Sequence, residues 1–134
     1  MDRVVRPVNA VAFPAMRREV MTALACLADT DYQVDAWLEK NFPSASYYDD
    51  LTMNIHTLYD DSQVLPSPES RIGTVLVAGA EVARLGELDV VLGALIADHG
   101  EAPDVAYIED PRWPVVVTRA AGCLAAMVRA GGLD

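Results

Sequence analysis

The sequence predicts a single, mainly α-helical domain of five or six helices. Three observations carry that expectation. Apolar residues recur at helical spacing over 15–28, over 81–98 and again from 116 to 127. Capping residues, prolines and glycines stand at the places where helices start and stop. A chain of 134 residues with 52% hydrophobic content can bury one real core and is too apolar for disorder. The expected division is an N-terminal appendage over 1–13 and one helix-rich domain over 14–134. The runner-up is an α+β domain with short strands near 72–77 and 104–108.

The elements follow in order. Residues 1–13 lack a helical period and are bracketed by Pro7 and Pro14. In 15–28, Met16, Val20, Leu24 and Leu27 form an apolar stripe, with Arg17, Arg18 and Glu19 on the other side. Asp29-Thr30-Asp31 stops this helix and starts another. Thr30 and Gln33 fit a capping box, Asp31 suits the first turn, and Val34, Trp37 and Leu38 supply the stripe. Phe42-Pro43 ends it, because a residue before proline avoids the helical region.

A third helix is expected over 50–59, with Asp49 or Asp50 as N-cap; strand alternation fits the same residues. Residues 60–67 read as a turn-rich loop. Ser67-Pro68-Glu69 opens a helix that continues through Ile72, Val75 and Leu76 to Gly79 as its C-terminal glycine. Thr74–Val77 as a short strand is the rival reading. Residues 81–98 are a long helix with Val82, Leu85, Leu88, Leu92 and Leu95 inward, closed by His99-Gly100. Gly86 and Gly93 weaken it and leave room for a close neighbour. Residues 104–109 fit a strand or a helical turn. Asp110-Pro111 opens the last helix, whose stripe is Val116, Ala120, Cys123, Leu124 and Met127, and Gly131-Gly132 ends it.

Charge narrows the function classes. Acids outnumber bases 20 to 10, a formal net charge of −10. Phosphate contacts need clustered Lys and Arg, so nucleic acid is excluded as a partner. A basic membrane-surface patch is excluded as well, and no run approaches the length of a membrane span. The mildly apolar stretch from Val4 to Phe13 is interrupted by Arg6, Pro7 and Asn9, a poor signal-peptide core. Cys26 and Cys123 stand far apart in apolar patterns with no zinc spacing, as buried thiols do. The expected location is the cytoplasm.

One doublet repeats. Residues 48–50 and 59–61 both read Tyr-Asp-Asp, eleven residues apart, close to three helical turns. If the segment is helical, the carboxylate pairs lie on nearly one side, one at each end. Asp60 and Asp61 sit where the helix dipole disfavours acids, so they are the stronger functional candidates of the two pairs. From Asp29 to Asp61 there are eight acids against Lys40 alone, interleaved with Tyr32, Trp37, Phe42, Tyr47, Tyr48 and Tyr59. An acidic surface with aromatic anchors suits recognition of a basic protein. The plainer alternative puts Trp37, Phe42 and some tyrosines in the core with a solvated acidic rim.

No catalytic set emerges. His56 precedes Asp60 by one turn, but a metal site needs further ligands at known spacing. Ser62, Ser67 and Ser70 lack a nucleophile-elbow context, and Gly73, Gly79 and Gly86 form no phosphate loop. No cofactor is expected.

At Tyr32-Gln33, Trp37, Pro43, Tyr48-Asp49-Asp50, Ile55-His56 and Tyr59-Asp60-Asp61, then Pro111-Arg112-Trp113-Pro114-Val115-Val116, the chain resembles a family of small acidic actinobacterial proteins. Some of its relatives look like immunity proteins of contact-dependent growth inhibition. The resemblance spans roughly residues 16–129. It implies a helix-rich binder that occludes a toxin domain, often a basic nuclease, and it carries over no catalytic residue. The expected function is thus an immunity-like protein-binding module, not an enzyme, with Tyr48, Asp49, Asp50, His56, Tyr59, Asp60 and Asp61 contacting a basic partner. The alternatives are a small enzyme or ligand-binding protein with a pocket near His56, and a homo-oligomer of housekeeping role.

Overall fold

The three long amphipathic stripes do form the three long helices, and their packing makes the core. A computed structural model describes residues 11–132. Helix α1 spans Pro14–Leu27; α2 is a short turn, Thr30–Tyr32, that runs on as a π-helix, Gln33–Leu38. Helix α3, Leu51–His56, likewise continues as a π-helix, Thr57–Asp61. A 3-10 turn at Pro68–Arg71 precedes α4 (Ala80–His99), α5 (Asp104–Ile108) and α6 (Trp113–Arg129). Helix α6 packs on both α4 and α1, α3 leans on α1, and α5 bridges α4 and the π-turn of α2. The result is one mainly helical domain with no β-strand among the described residues; a lone bridge joins Ile72 to Leu76.

The core is aliphatic and closely follows the expected stripes. Val20, Leu24 and Leu27 of α1, Leu85, Leu88, Leu92 and Leu95 of α4, and Val116, Ala120, Cys123 and Met127 of α6 join in one buried cluster, with α6 packed against both other helices. Trp37 and Trp113 are buried at the end where α2 and α6 approach. Most of the appendage expected over 1–13 lies outside the described residues. Its end does not hang free: the Ala12 and Phe13 amides donate to the carbonyls of Gly73 and Thr74 at 3.0 and 2.8 Å.

Several local expectations are corrected. Arg17, expected on the outer face of α1, is 1% exposed. Its guanidinium donates to both carboxylate oxygens of Glu81, at 2.7 and 2.9 Å, and also to the carbonyls of Val75, Met127 and Gly132. Glu81, also buried, accepts in addition from the Val77 amide at 2.8 Å. The α2 cap is Asp29, which accepts from the Tyr32 amide at 3.0 Å, not a Thr30–Gln33 box. Gln33 is instead turned inward, where its amide donates to the Cys26 and Leu27 carbonyls left open at the end of α1. Its oxygen accepts from the Trp113 indole at 3.0 Å. That anchoring makes Gln33, Ala36 and Trp37 the inner face and turns Val34 and Leu38 outward.

The helix expected from Ser67 to Gly79 stops at Arg71, since the Val75 and Leu76 amides both return to the Arg71 carbonyl and reverse the chain. Gly79 is the N-cap of α4, not a C-terminal glycine; its φ of 124° and ψ of −143° are a conformation open to glycine almost alone. Residues 104–108 are helical, so neither strand of the α+β alternative is present. Helix α6 starts at Trp113 rather than Asp110, and Asp110 accepts from the Arg112 amide just ahead of it. Gly93 does face a neighbour, the Tyr59 hydroxyl with Asp89, whereas a methyl group at Gly86 would touch nothing within 4 Å.

Two outcomes follow for urea denaturation. Arg17→Met leaves Glu81 buried and uncompensated and lowers stability by about 3–5 kcal/mol, while Arg17→Met with Glu81→Leu recovers most of the loss. Gly86→Ala raises stability by about 0.5–1 kcal/mol, because it removes backbone entropy from the unfolded chain and meets no clash.

Candidate functional site

The most chemically varied surface lies where the loop after α2 meets the starts of α3 and α5. The π-helix ends at Leu38, and Lys40 two residues on, with a φ of 60°, reverses the chain. The Asn41 amide and side chain both return to Asp35, at 2.9 Å each. Phe42 then stacks at tilted angles on Tyr47 and Tyr48, with ring centroids 5.6 and 5.5 Å away. Tyr47 and Tyr48 are 39% and 53% exposed. The Lys40 ammonium stands 5.5 Å from the centre of the Tyr48 ring, within cation–π reach.

Asp49 holds the root of this loop. One of its oxygens accepts from the Tyr32 hydroxyl at 2.7 Å and from the Trp37 indole at 2.8 Å. The other accepts from the Asn54 amide at 3.0 Å. Tyr47 extends the chain through a 2.6 Å bond to the Tyr32 hydroxyl. Burial and the Asp49 carboxylate push the Tyr32 phenol well above its ordinary range, so it stays a proton donor.

Asp50 caps α3 by accepting from the Met53 amide at 2.8 Å, and its second oxygen accepts from Tyr48 at 2.7 Å. Asp104, on α5, reaches across to the Leu51 amide at 3.0 Å, a second ligand for the α3 N-terminus. Partial burial raises the Asp104 carboxyl above the usual range; Asp50 and Asp49 add to this, while the Leu51 amide and Lys40 oppose it. A depression of about 510 Å³ opens between these groups, lined by Trp37, Leu38, Lys40, Asp50, Asp104 and Val105. The arrangement offers two carboxylates, an exposed aromatic face and one lysine. It suits a cationic side chain of a partner. It contains no nucleophile beside a base.

Residues 11–134 match the family described as Domain of unknown function (DUF7945). The chain belongs to the DUF7945 family. No curated protein and no solved structure matches it. The family match takes in every residue of the site just described, and it carries no assignment of activity.

Within this DUF7945 chain the expected site residues fall into two groups. Tyr48, Asp49 and Asp50 lie at the loop site, but Asp49 is turned into the Tyr32–Trp37–Asn54 cluster. The second group stands at the far end of α3 and its π-turn, roughly 15 Å along the axis by helical rise. There His56 pairs through Nδ1 with Asp60, both side chains more than half exposed. Asp61 is exposed, and Tyr59 is half-buried with its hydroxyl donating to Asp89 at 2.6 Å. The repeat in sequence is therefore not a repeat in structure. Asp49 and Asp50 precede the helix, and Asp50 has an extended backbone (φ −152°, ψ 175°), so helical spacing does not relate them to Asp60 and Asp61.

Sequence reasoning missed Asp104, Asn54 and the bonding role of Tyr32. Pro103-Asp104 does read as a helix start, and that signal placed a carboxylate at a first turn without indicating its partner at Leu51. Elsewhere the groups are locked. His99 Nε2 and Arg112 converge on Asp110, and the bonds from the Arg112 guanidinium, the Arg112 amide and His99 hold that carboxyl far below the usual range. Burial pushes the Cys26 and Cys123 thiols up to about 11 and about 12. Both stay protonated and poor nucleophiles near neutral pH. Among the described residues no group of three or more His, Cys, Asp or Glu is placed to hold a metal ion. No helix there is long and apolar enough to cross a membrane.

The two doublets should differ in stability tests. Asp49→Ala strands the Trp37 and Tyr32 donors and costs about 1–3 kcal/mol in urea melts, while exposed Asp61→Asn changes stability by less than about 0.5 kcal/mol.

Proposed function

We propose that this chain is a protein-binding module that takes a basic partner one-to-one, in the manner of an immunity-like inhibitor, through the acidic aromatic surface of the loop after α2. The observation that carries the reading is the coincidence of Tyr47 and Tyr48, exposed and packed on Phe42, with Asp50 and Asp104 beside a single lysine. Exposed tyrosines held in place make good anchors, because little side-chain entropy is lost on docking. Carboxylates around them steer a cationic protein into register and speed its approach.

The eight acids between Asp29 and Asp61 support this reading in a second way. Among the described residues none of them is paired with an arginine; Asp60 with His56 is their only ion pair. Asp31, Asp35 and Glu39 are exposed and lie on or next to the π-turn that leads into the loop. The negative field there is open to an outside cation. A toxin's basic catalytic domain, met in the cytoplasm, is the kind of partner that the immunity-like reading implies. The second group, His56, Tyr59, Asp60 and Asp61, would extend the footprint rather than form its centre.

The test is binding to the product of the neighbouring reading frame, followed by surface plasmon resonance at low and physiological salt. Tyr48→Ala with Asp50→Asn should weaken association at least about tenfold with little loss of stability, since asparagine still caps a helix. Binding indifferent to salt and to both substitutions overturns the reading. The pH profile carries a sign. A cation favours ionised Asp104, so association is present above its raised pKa and fades as pH falls through it. Fold stability runs the other way. The raised pKa means that the fold favours the protonated acid, so the Asp104 contribution shrinks as pH rises through the carboxylate range. Asp104→Asn flattens both profiles.

A further inference from the structure

We infer that the interface continues past Asp104 into a second, apolar cavity, and that the partner segment carries an aliphatic side chain next to its cation. This deepens the proposed function and rests on it.

The cavity has a volume of about 390 Å³ and lies between α3, the end of α4 and α5. Leu51 and Tyr107 are its buried walls, Ile55 and Ile96 its half-buried ones. Two of the polar groups nearby are already engaged, and the exposed Thr52 and Glu101 stand at the mouth. The Tyr107 hydroxyl donates to the Gly100 carbonyl at 2.5 Å, and His56 Nδ1 is held by Asp60. The interior therefore rewards an apolar group and offers little to a polar one. It lies next to the acidic depression, from which it is separated by residues bonded to one another. Asp50 and Asp104 line the first, Leu51 and Tyr107 the second, and the Leu51 N–H···Asp104 bond is the partition between them.

Charge identifies the occupant. The exposed charged group at the rim, beside His56 already paired with Asp60, is Glu101, and the partition is Asp104 itself. An aliphatic side chain entering here arrives across carboxylates on both sides. A segment that pairs an aliphatic residue with arginine or lysine fits both depressions at once. An acidic or purely apolar segment does not.

Two synthetic peptides of equal charge, one of arginine and serine and one of arginine and leucine, test this by calorimetry at physiological salt. The leucine peptide should bind about tenfold more tightly, the effect of burying one aliphatic side chain. Thr52→Trp fills the cavity mouth from an exposed position and should abolish that difference while leaving the serine peptide unchanged. In the unsubstituted protein, the methyl resonances of Ile55 and Ile96 should shift with the leucine peptide and not with the serine peptide. Equal affinities that are lost in Asp50→Asn with Asp104→Asn would sink the anchor cavity and keep the acidic docking site. Tighter leucine-peptide binding with unmoved Ile55 and Ile96 methyls also overturns the cavity. Failure of both peptides to bind removes the docking reading and this inference together.

Discussion

The buried pairing of Arg17 with Glu81 is the constraint on which the arrangement of helices depends. Both side chains are almost wholly withdrawn from water. Desolvating two ions costs several kcal/mol each, and it is repaid only by excellent geometry with every remaining donor satisfied. Here the guanidinium makes two parallel bonds to one carboxylate and reaches three carbonyls, from the turn before α4 and from the end of α6. Such a set of bonds exists only when α1, the 75–79 turn, α4 and the last turn of α6 are all in register. The aliphatic core tolerates small slips; this ion pair does not.

The same rule recurs at two further polar points, the buried Gln33 and the half-buried Asp49. Gln33 serves the open carbonyls of α1 and the Trp113 indole, and Asp49 serves the Trp37 indole, the Tyr32 hydroxyl and the Asn54 amide. Gln33 ties the end of α1 to α6, and Asp49 ties α2 and its π-turn to α3. This explains what was legible in the sequence and what was not. Stripes over α1, α4 and α6 are averages over many residues, so Leu24, Leu88 or Val116 could be placed inward from spacing alone. Arg17, Gln33 and Glu81 are polar, so periodicity assigns them to the surface. Only their distant partners bring them inside, and no local signal names a partner 64 or 80 residues away.

The candidate site divides along the same line. Asp50 was legible as a cap, because a cap is local: its partner is the Met53 amide three residues on. Tyr48 was legible as an exposed aromatic near acids. Asp104 was not, because its meaning comes from the Leu51 amide across a gap in sequence. The duplicated Tyr-Asp-Asp misled for a related reason. A repeat implies equivalent geometry only when both copies share one backbone conformation, and here one copy is extended chain while the other is π-helix.

The proposed binding role rests on a loop whose rigidity and exposed chemistry come largely from different residues. Asp49 is consumed by the fold, through donors that fix Trp37, Tyr32 and, through Tyr32, Tyr47. The exposed Tyr48 and the half-buried Asp50 and Asp104 are themselves held by hydrogen bonds, so under the proposed role they would meet a partner without first being ordered. Ordering side chains on association removes about 0.5–1.5 kcal/mol from affinity for each one immobilised. A chain of this net charge also repels itself, and its acids destabilise the compact state wherever they crowd without cations. Leaving Asp50 and Asp104 beside one lysine keeps such a crowd in place, and the proposed cationic partner would relieve it. On the proposed reading, the unfavourable field of the free molecule would become a source of affinity in the complex.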